Sequence, residues 1–238
     1  MVESAITQVE LSIKESIRIH DQIKVDAFTR VLAQLASTWI EVRVYKLIYE
    51  PNAFTDSEIT NVLQSETLQQ KWENALNYSY FKHFQISDPQ KITDNKYTVL
   101  CELIKSDFTD SITIRNRLAH GQWKYAFNSN VTSISSDLTT KIQNENVLKI
   151  QIKLQIFKDI AQIIHDLTVS RPTFDRDYNK YFNRVCQNKR HYATRDFQKF
   201  EQILRRSYER GKIRKTEQNK SFLDKVKSDF NKFYSRFK

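Results

Sequence analysis

The chain has very little with which to turn sharply. Its 238 residues include only 2 Gly and 3 Pro. Both residue types punctuate hairpins and strand–helix loops, and both fall far below average usage here. Their scarcity argues against a β-sandwich, a barrel or a doubly wound sheet, and favours long helices with few breaks. Cysteine is also scarce, with Cys101 and Cys186 alone. Two cysteines cannot frame a disulfide scaffold and here lack close metal-ligand spacing, so an intracellular, cytoplasmic protein is expected. The opening MVESAITQVE has no basic n-region and no apolar core, unlike a secretory signal. No uncharged apolar run approaches the length of a bilayer span, so no membrane partner is expected. What the chain does have is 39% hydrophobic residues, with 15 Phe, 11 Tyr and 3 Trp. A chain of this size and content can bury a substantial core, which argues against global disorder.

Charge is unevenly distributed. Residues 1–170 hold 18 basic and 20 acidic side chains, whereas residues 171–238 hold 20 basic and 8 acidic. The whole net charge of +10 therefore comes from the last 68 residues. The same stretch carries 13 Phe and Tyr and no Trp. Cations interleaved with aromatics suit nucleic acid, since cations meet phosphates and rings stack on bases. Rings at helical spacing equally suit a helical core with its charges facing water.

Apolar periodicity predicts helices throughout. Ile6, Val9, Ile13 and Ile17 share a face, as do Phe28, Val31, Leu35, Trp39 and Val42, whose helix ends before Pro51. Thr55 and Glu58 have capping-box spacing. Residues 67–84 and 96–104 read as helices, with a turn at 86–89. Asp107 and Asp110 are each placed to cap the next helix, which runs through DSITIRNRLAH to Gly121, the usual C-terminal stop. Residues 122–140 are rich in Ser, Thr and Asn and read as a loop. Residues 146–169 form the clearest long helix. Thr173 then caps another, and two more are expected at about 194–210 and 217–236. The last carries Phe222, Val226, Phe230, Phe233 and Phe237 on one side. The predicted fold is all-α: a helical bundle over residues 1–170 and a basic, aromatic-rich helical extension over 171–238.

One segment carries chemistry: Arg115-Asn116-Arg117-Leu118-Ala119-His120-Gly121. On a helix Asn116 and His120 share a face. A histidine can act as acid or base near neutrality. An arginine can hold a phosphate through two parallel hydrogen bonds. Together they suit RNA cleavage through its own 2′-hydroxyl: a base takes the proton, the 2′-oxygen attacks phosphorus, and a cation stabilises the developing charge. That chemistry needs no metal. The same residues also fit a plainer reading, in which Arg115 pairs with Asp110 or Glu102 and His120 caps a helix end.

The string RNRLAHG resembles the signature of the HEPN family, small all-α domains with the pattern R-x4–6-H, often written RNxxAHG. Arg115, Asn116, Ala119, His120 and Gly121 match it, and the resemblance extends over about residues 25–170. It implies a metal-independent endoribonuclease of a toxin–antitoxin or antiviral-defence system. Such enzymes act as homodimers with a composite site, and an antitoxin or other defence component is the implied partner. The resemblance equally implies an alternative, because some members have lost catalysis and act as RNA-binding or protein-interaction modules. Two positions after His120 stands Gln122, where one toxin subfamily carries a Tyr that AMP can cap. That form of silencing is not implied here. Family members often carry a polar residue on an early helix that orients the motif, and Glu41, an acid in an apolar stretch, is the candidate, although it equally suits the polar face of an amphipathic helix.

Further RNA-binding candidates are Arg117, Trp123 and Lys124 beside the motif and Arg205, Arg206 and Arg210 in the basic segment. Trp123 equally suits a core position. His20, His83, His165 and His191 stand far apart, and His165, set among Ile163, Ile164 and Leu167, reads as a core histidine. No metal and no cofactor are expected. Cys101, flanked by Leu100 and Leu103, reads as core.

Overall fold

A computed structural model of the chain describes residues 1–85, 94–128 and 130–234. The turn expected at 86–89 lies outside these. Among the described residues ten α-helices follow in order: α1 (Val2–Arg18), α2 (Gln22–Ile48), α3 (Asp56–Gln64), α4 (Leu68–Phe84), α5 (Asn95–Leu103), α6 (Thr109–Ala119), α7 (Ser136–Gln143), α8 (Val147–Val169), α9 (Arg171–Thr194) and α10 (Phe197–Tyr234). The fold is all-α. Among the described residues the only β pairing is an isolated bridge between Phe127 and Ile134. Among the described residues no helix is long and apolar enough to cross a membrane.

α8 forms the axis of the bundle. Isoleucine, leucine, valine and phenylalanine recur on several of its faces, and residues from Val147 to Thr168 are buried along its length. It packs against α9, α2 and α4. α2 is the second axis, between α1, α6 and α8. Trp72 of α4 is fully buried and its indole donates to the Ile40 carbonyl at 3.3 Å. Its ring meets Phe108 edge-on at 5.2 Å, and Phe108 meets Phe157 at 5.5 Å. A second aromatic cluster joins Tyr80, Phe84, Tyr97 and Phe174. Burial pushes the Tyr80 phenol far above its ordinary range and that of Tyr178 up to about 12.

Local signals set many boundaries. The Thr55/Glu58 capping box forms as the sequence predicts. Asn146 caps α8 by accepting from the Lys149 N–H. Other boundaries differ from expectation. Asp107 and Asp110 do not cap α6, because α5 enters it through a single π-turn, Ile104–Phe108, that leaves no free helix start. Their carboxylates go to distant lysines instead, Asp107 to Lys189 at 2.8 Å and Asp110 to Lys141 at 2.6 Å. The cap of α9 is Ser170 rather than Thr173, whose N–H donates to the Ser170 hydroxyl. Pro172 then sits in the first turn, where no N–H is required. The predicted loop at 122–140 is helical from Ser136, because Ser135 caps α7 and Thr139 and Ile142 are buried. His165 is not a core residue: its side chain is a quarter exposed, between Glu50 and Asp166. Cys101 lies half-buried against the core, where burial pushes its thiol pKa up.

The basic segment begins within the core. Phe174, Tyr178 and Val185 of α9 are buried in the same cluster as α8. Where two terminal helices are expected, one continuous α10 runs for 38 residues, about 57 Å at 1.5 Å per residue. Gly211 does not break it. One glycine costs a helix only about 1 kcal/mol relative to alanine, too little to stop a run of good helix formers. The first turns of α10 pack on α1. Residues 209–227 are exposed throughout.

A buried charge cluster fixes α6 within the bundle. Lys153 of α8 bonds Glu145 at 2.6 Å and faces Asp110 of α6 at 3.6 Å, with Lys153 13% and Glu145 5% exposed. Burial disfavours the ammonium, but Glu145, Tyr192 and Asp110 outweigh it and raise the Lys153 pKa. Burial likewise disfavours the Asp110 carboxylate, but Lys141 and Lys153 outweigh it and lower its pKa. A lowered acid stabilises the fold above its unfolded pKa of about 3.9, and a raised lysine does so below about 10.4. Between those limits both contributions are present. Replacing Lys153 by Met is expected to cost about 3–5 kcal/mol at pH 7, since it leaves Glu145 buried and unpaired. Urea unfolding checks this, and the deficit should narrow as acid neutralises the carboxylates.

Candidate functional site

The motif occupies the C-terminal half of α6 and the turn that follows. Ser111, Ile114 and Leu118 point into the core, which leaves the other faces for chemistry. The helix ends at His120, and the next residue, Gly121, has φ +76°. Gly121 N–H donates to the Leu118 carbonyl at 3.1 Å and Gln122 N–H to the Arg117 carbonyl at 3.0 Å. This pair of bonds is the Schellman closure, and its left-handed residue is the position that favours glycine. Trp123 Nε1 also donates to the Leu118 carbonyl at 3.0 Å. The last turn of α6 is therefore tied down on both sides.

Each candidate residue now has a place. Arg115 is half-buried, and its Nη2 donates to Glu41 Oε2 of α2 at 3.1 Å. Neither Asp110 nor Glu102 takes it. The side chains are 29% and 37% exposed, so the pair adds little to stability and acts by fixing the guanidinium. Arg115 Nε is buried without a partner, as is Arg117 Nε. Asn116 and His120 are exposed. Trp123 is 41% exposed, held by its indole at the helix end and so not in the core. Lys124 is exposed, its ammonium 5.5 Å from the Tyr125 ring. Gln122 accepts from the Phe127 N–H at 2.9 Å and so anchors the loop. In the basic segment Arg206 and Arg210 are exposed. Arg205 is turned inward, donating from Nε to the Ile17 carbonyl at 3.2 Å.

Arg115 and Asn116 stand at the edge of a groove of about 400 Å³ between α2, the start of α4 and α6. Glu41 and Tyr45 line it from α2, Leu68 and Gln69 from α4, and Thr109 and Ile112 from α6. Lys71 also lines it, but its ammonium bonds the Val62 and Leu63 carbonyls at the end of α3. Periodicity alone misses Gln69 and Thr109. The spacing of Thr67 and Gln70, which form a capping box here, is the signal that places the start of α4. A larger cavity, about 720 Å³, lies between α5, the π-turn and α9, and no motif residue lines it. Among the described residues no three His, Cys, Asp or Glu side chains are grouped to hold a metal ion.

Searches against protein-family models, curated proteins and solved structures give no match for this chain.

The Schellman turn makes Gly121 replaceable only at a cost in backbone strain. Nothing lies within 4 Å of a Cβ placed there, so no clash is involved. Gly121→Ala is expected to lower stability by about 1–2 kcal/mol, the left-handed penalty of a non-glycine residue. Comparing thermal melts of the two proteins checks this.

Proposed function

We propose that the chain is a metal-independent RNA endonuclease of HEPN type, a toxin or antiviral-defence effector acting on cytoplasmic RNA. The observation that carries the reading is the pairing of Arg115 with Glu41 across α6 and α2. It holds a half-buried guanidinium in the lining of a groove, five residues before an exposed histidine. The match of RNRLAHG to the family signature supports the same reading.

In this mechanism His120 takes the proton from a ribose 2′-hydroxyl. The 2′-oxygen attacks the adjacent phosphorus, and the bond from phosphorus to the 5′-oxygen breaks. That oxygen leaves with a proton from solvent, giving a 2′,3′-cyclic phosphate and a free 5′-hydroxyl. Arg115 stabilises the charge on the phosphoryl oxygens. Asn116 orients the phosphate or His120, and Glu41 positions Arg115. By resemblance the active form is a homodimer, and an antitoxin or another defence component restrains it.

A second reading has its own support. The exposed stretch 209–227 of α10 carries Arg210, Lys212, Arg214, Lys215, Lys220, Lys225 and Lys227. Such an arm fits a module that holds RNA without cutting it.

Incubating the protein and its His120→Ala variant with mixed RNA in EDTA tests both readings. Wild type is expected to release products with 2′,3′-cyclic phosphate ends. His120→Ala should lose activity by about 100-fold or more, the usual contribution of a general base. Binding without product from either protein favours the module, and equal cleavage by both overturns the assignment of His120. Replacing Lys212, Arg214 and Lys215 together by Ala should reduce the slope of log affinity against log salt by up to about 2. Filter binding across a salt series measures that slope.

A further inference from the structure

We propose that the groove beside Arg115 is a nucleobase subsite, with Tyr45 as its stacking wall and Gln69 as the group that reads the base edge. The proposal rests on the nuclease reading only in taking Arg115 as the phosphate end.

The groove has the size and composition for one nucleoside. Its volume, about 400 Å³, lies within the range of about 300–1,000 Å³ typical of small-molecule sites. Leu68, Ile112 and the Tyr45 ring give it apolar walls. A flat aromatic base would satisfy such walls, whereas a phosphate alone would leave them wet. The polar group between them is fixed in advance. The Thr109 hydroxyl donates to Gln69 Oε1 at 2.7 Å, and Gln69 Nε2 donates to Glu73 Oε1 at 2.7 Å. The amide is therefore clamped at both ends, and each end has capacity left. Nε2 retains one N–H, and Oε1 and the Thr109 oxygen can each accept another bond. A donor beside an acceptor is the pattern an amide uses to grip a base edge. Lys71 does not compete for the phosphate, because carbonyls of α3 hold its ammonium. Arg115 thus sets the phosphate position, and the base extends from it toward α4. An enzyme built this way prefers certain nucleotides at the cut rather than cleaving indiscriminately.

The test titrates the full-length protein separately with each of the four ribonucleoside 3′-monophosphates and with inorganic phosphate, by calorimetry. Nucleotides are expected to bind at least ten-fold more tightly than phosphate. Tyr45→Leu should weaken nucleotide binding about ten-fold and leave phosphate binding unchanged, as the loss of one stacked base predicts. Tyr45→Phe, which keeps the ring, should restore it. Gln69→Ala should change the order of preference among the four nucleotides. Arg115→Ala should weaken nucleotides and phosphate alike. Circular-dichroism melts confirm that each variant is folded. Nucleotides that bind no more tightly than phosphate, or not at all, overturn the subsite. So do Tyr45→Leu and Gln69→Ala variants that bind as wild type does. RNA cleavage by the same proteins separates the two claims. Loss of cleavage in His120→Ala beside unchanged nucleotide binding in the Tyr45 and Gln69 variants leaves the nuclease standing and removes the subsite. Selective nucleotide binding with no His120-dependent cleavage does the reverse.

Discussion

A helix apolar on several faces must be covered on several sides, and α8 sets that constraint for the whole molecule. A solvent-exposed amphipathic helix needs one stripe covered. α8 buries side chains from Val147 to Thr168 and so requires α9, α2 and α4 around it. The energetic weight of this arrangement is the apolar area removed from water, roughly 25 cal/mol per Å². One consequence is that α9 belongs to the core despite its basic composition. Its Phe174, Tyr178 and Val185 are buried in the core cluster, most of its Lys and Arg are exposed, and Arg184 reaches back to the buried Asp159 of α8 at 2.9 Å. Another is that α2 and α6 are brought face to face, since both pack beside the α8 axis or its neighbours.

The candidate site grows out of that second consequence. α6 is held by apolar residues below and by the Asp110–Lys153–Glu145 cluster at its start. Its end is closed by Gly121 and by the Trp123 indole. With both ends of α6 fixed, Arg115 donates to the acceptor that α2 presents, the Glu41 carboxylate. A partly exposed ion pair contributes little to stability. Under the nuclease reading its value lies in placing a cation before a substrate arrives, which removes part of the ordering cost at the moment of binding.

What the sequence makes legible follows the range of the interaction. Caps at Thr55 and Asn146 and the left-handed Gly121 are local, and each shows in a few adjacent residues. Glu41 stands out as a charge in an apolar stretch, though its partner lies 74 residues away. The misplaced elements are those where a distant partner overrides a local rule. Asp110 has the chemistry of a cap, but Lys141 and Lys153 claim it and the π-turn removes the helix start it would have capped. That π-turn is hard to read because Leu100, Ile104 and Phe108, all buried, keep a spacing of four through it, as an unbroken helix would. The groove is hidden for the same reason. Gln69 and Thr109 meet across 40 residues of chain, and no pattern in either segment anticipates the other.

The free half of α10 separates two kinds of affinity. Residues 209–227 span about 28 Å of helix, several Debye lengths at physiological salt, about 8 Å each. Screening therefore separates the charge at the far end of the arm from groups at its near end. A mononucleotide carries too little charge to engage the arm along its length, whereas a long polyanion carries enough. Under the nuclease reading, the local pair of Arg115 and Glu41 then governs where a phosphate is placed, and α10 governs how long a strand stays. Salt should weaken retention of the strand much more than placement of the phosphate. Arg115 is one cation and the arm carries several, and the salt slope scales with the number of phosphates neutralised. On that reading the basic excess of residues 171–238 suits a long substrate, and the motif suits the chemistry on it.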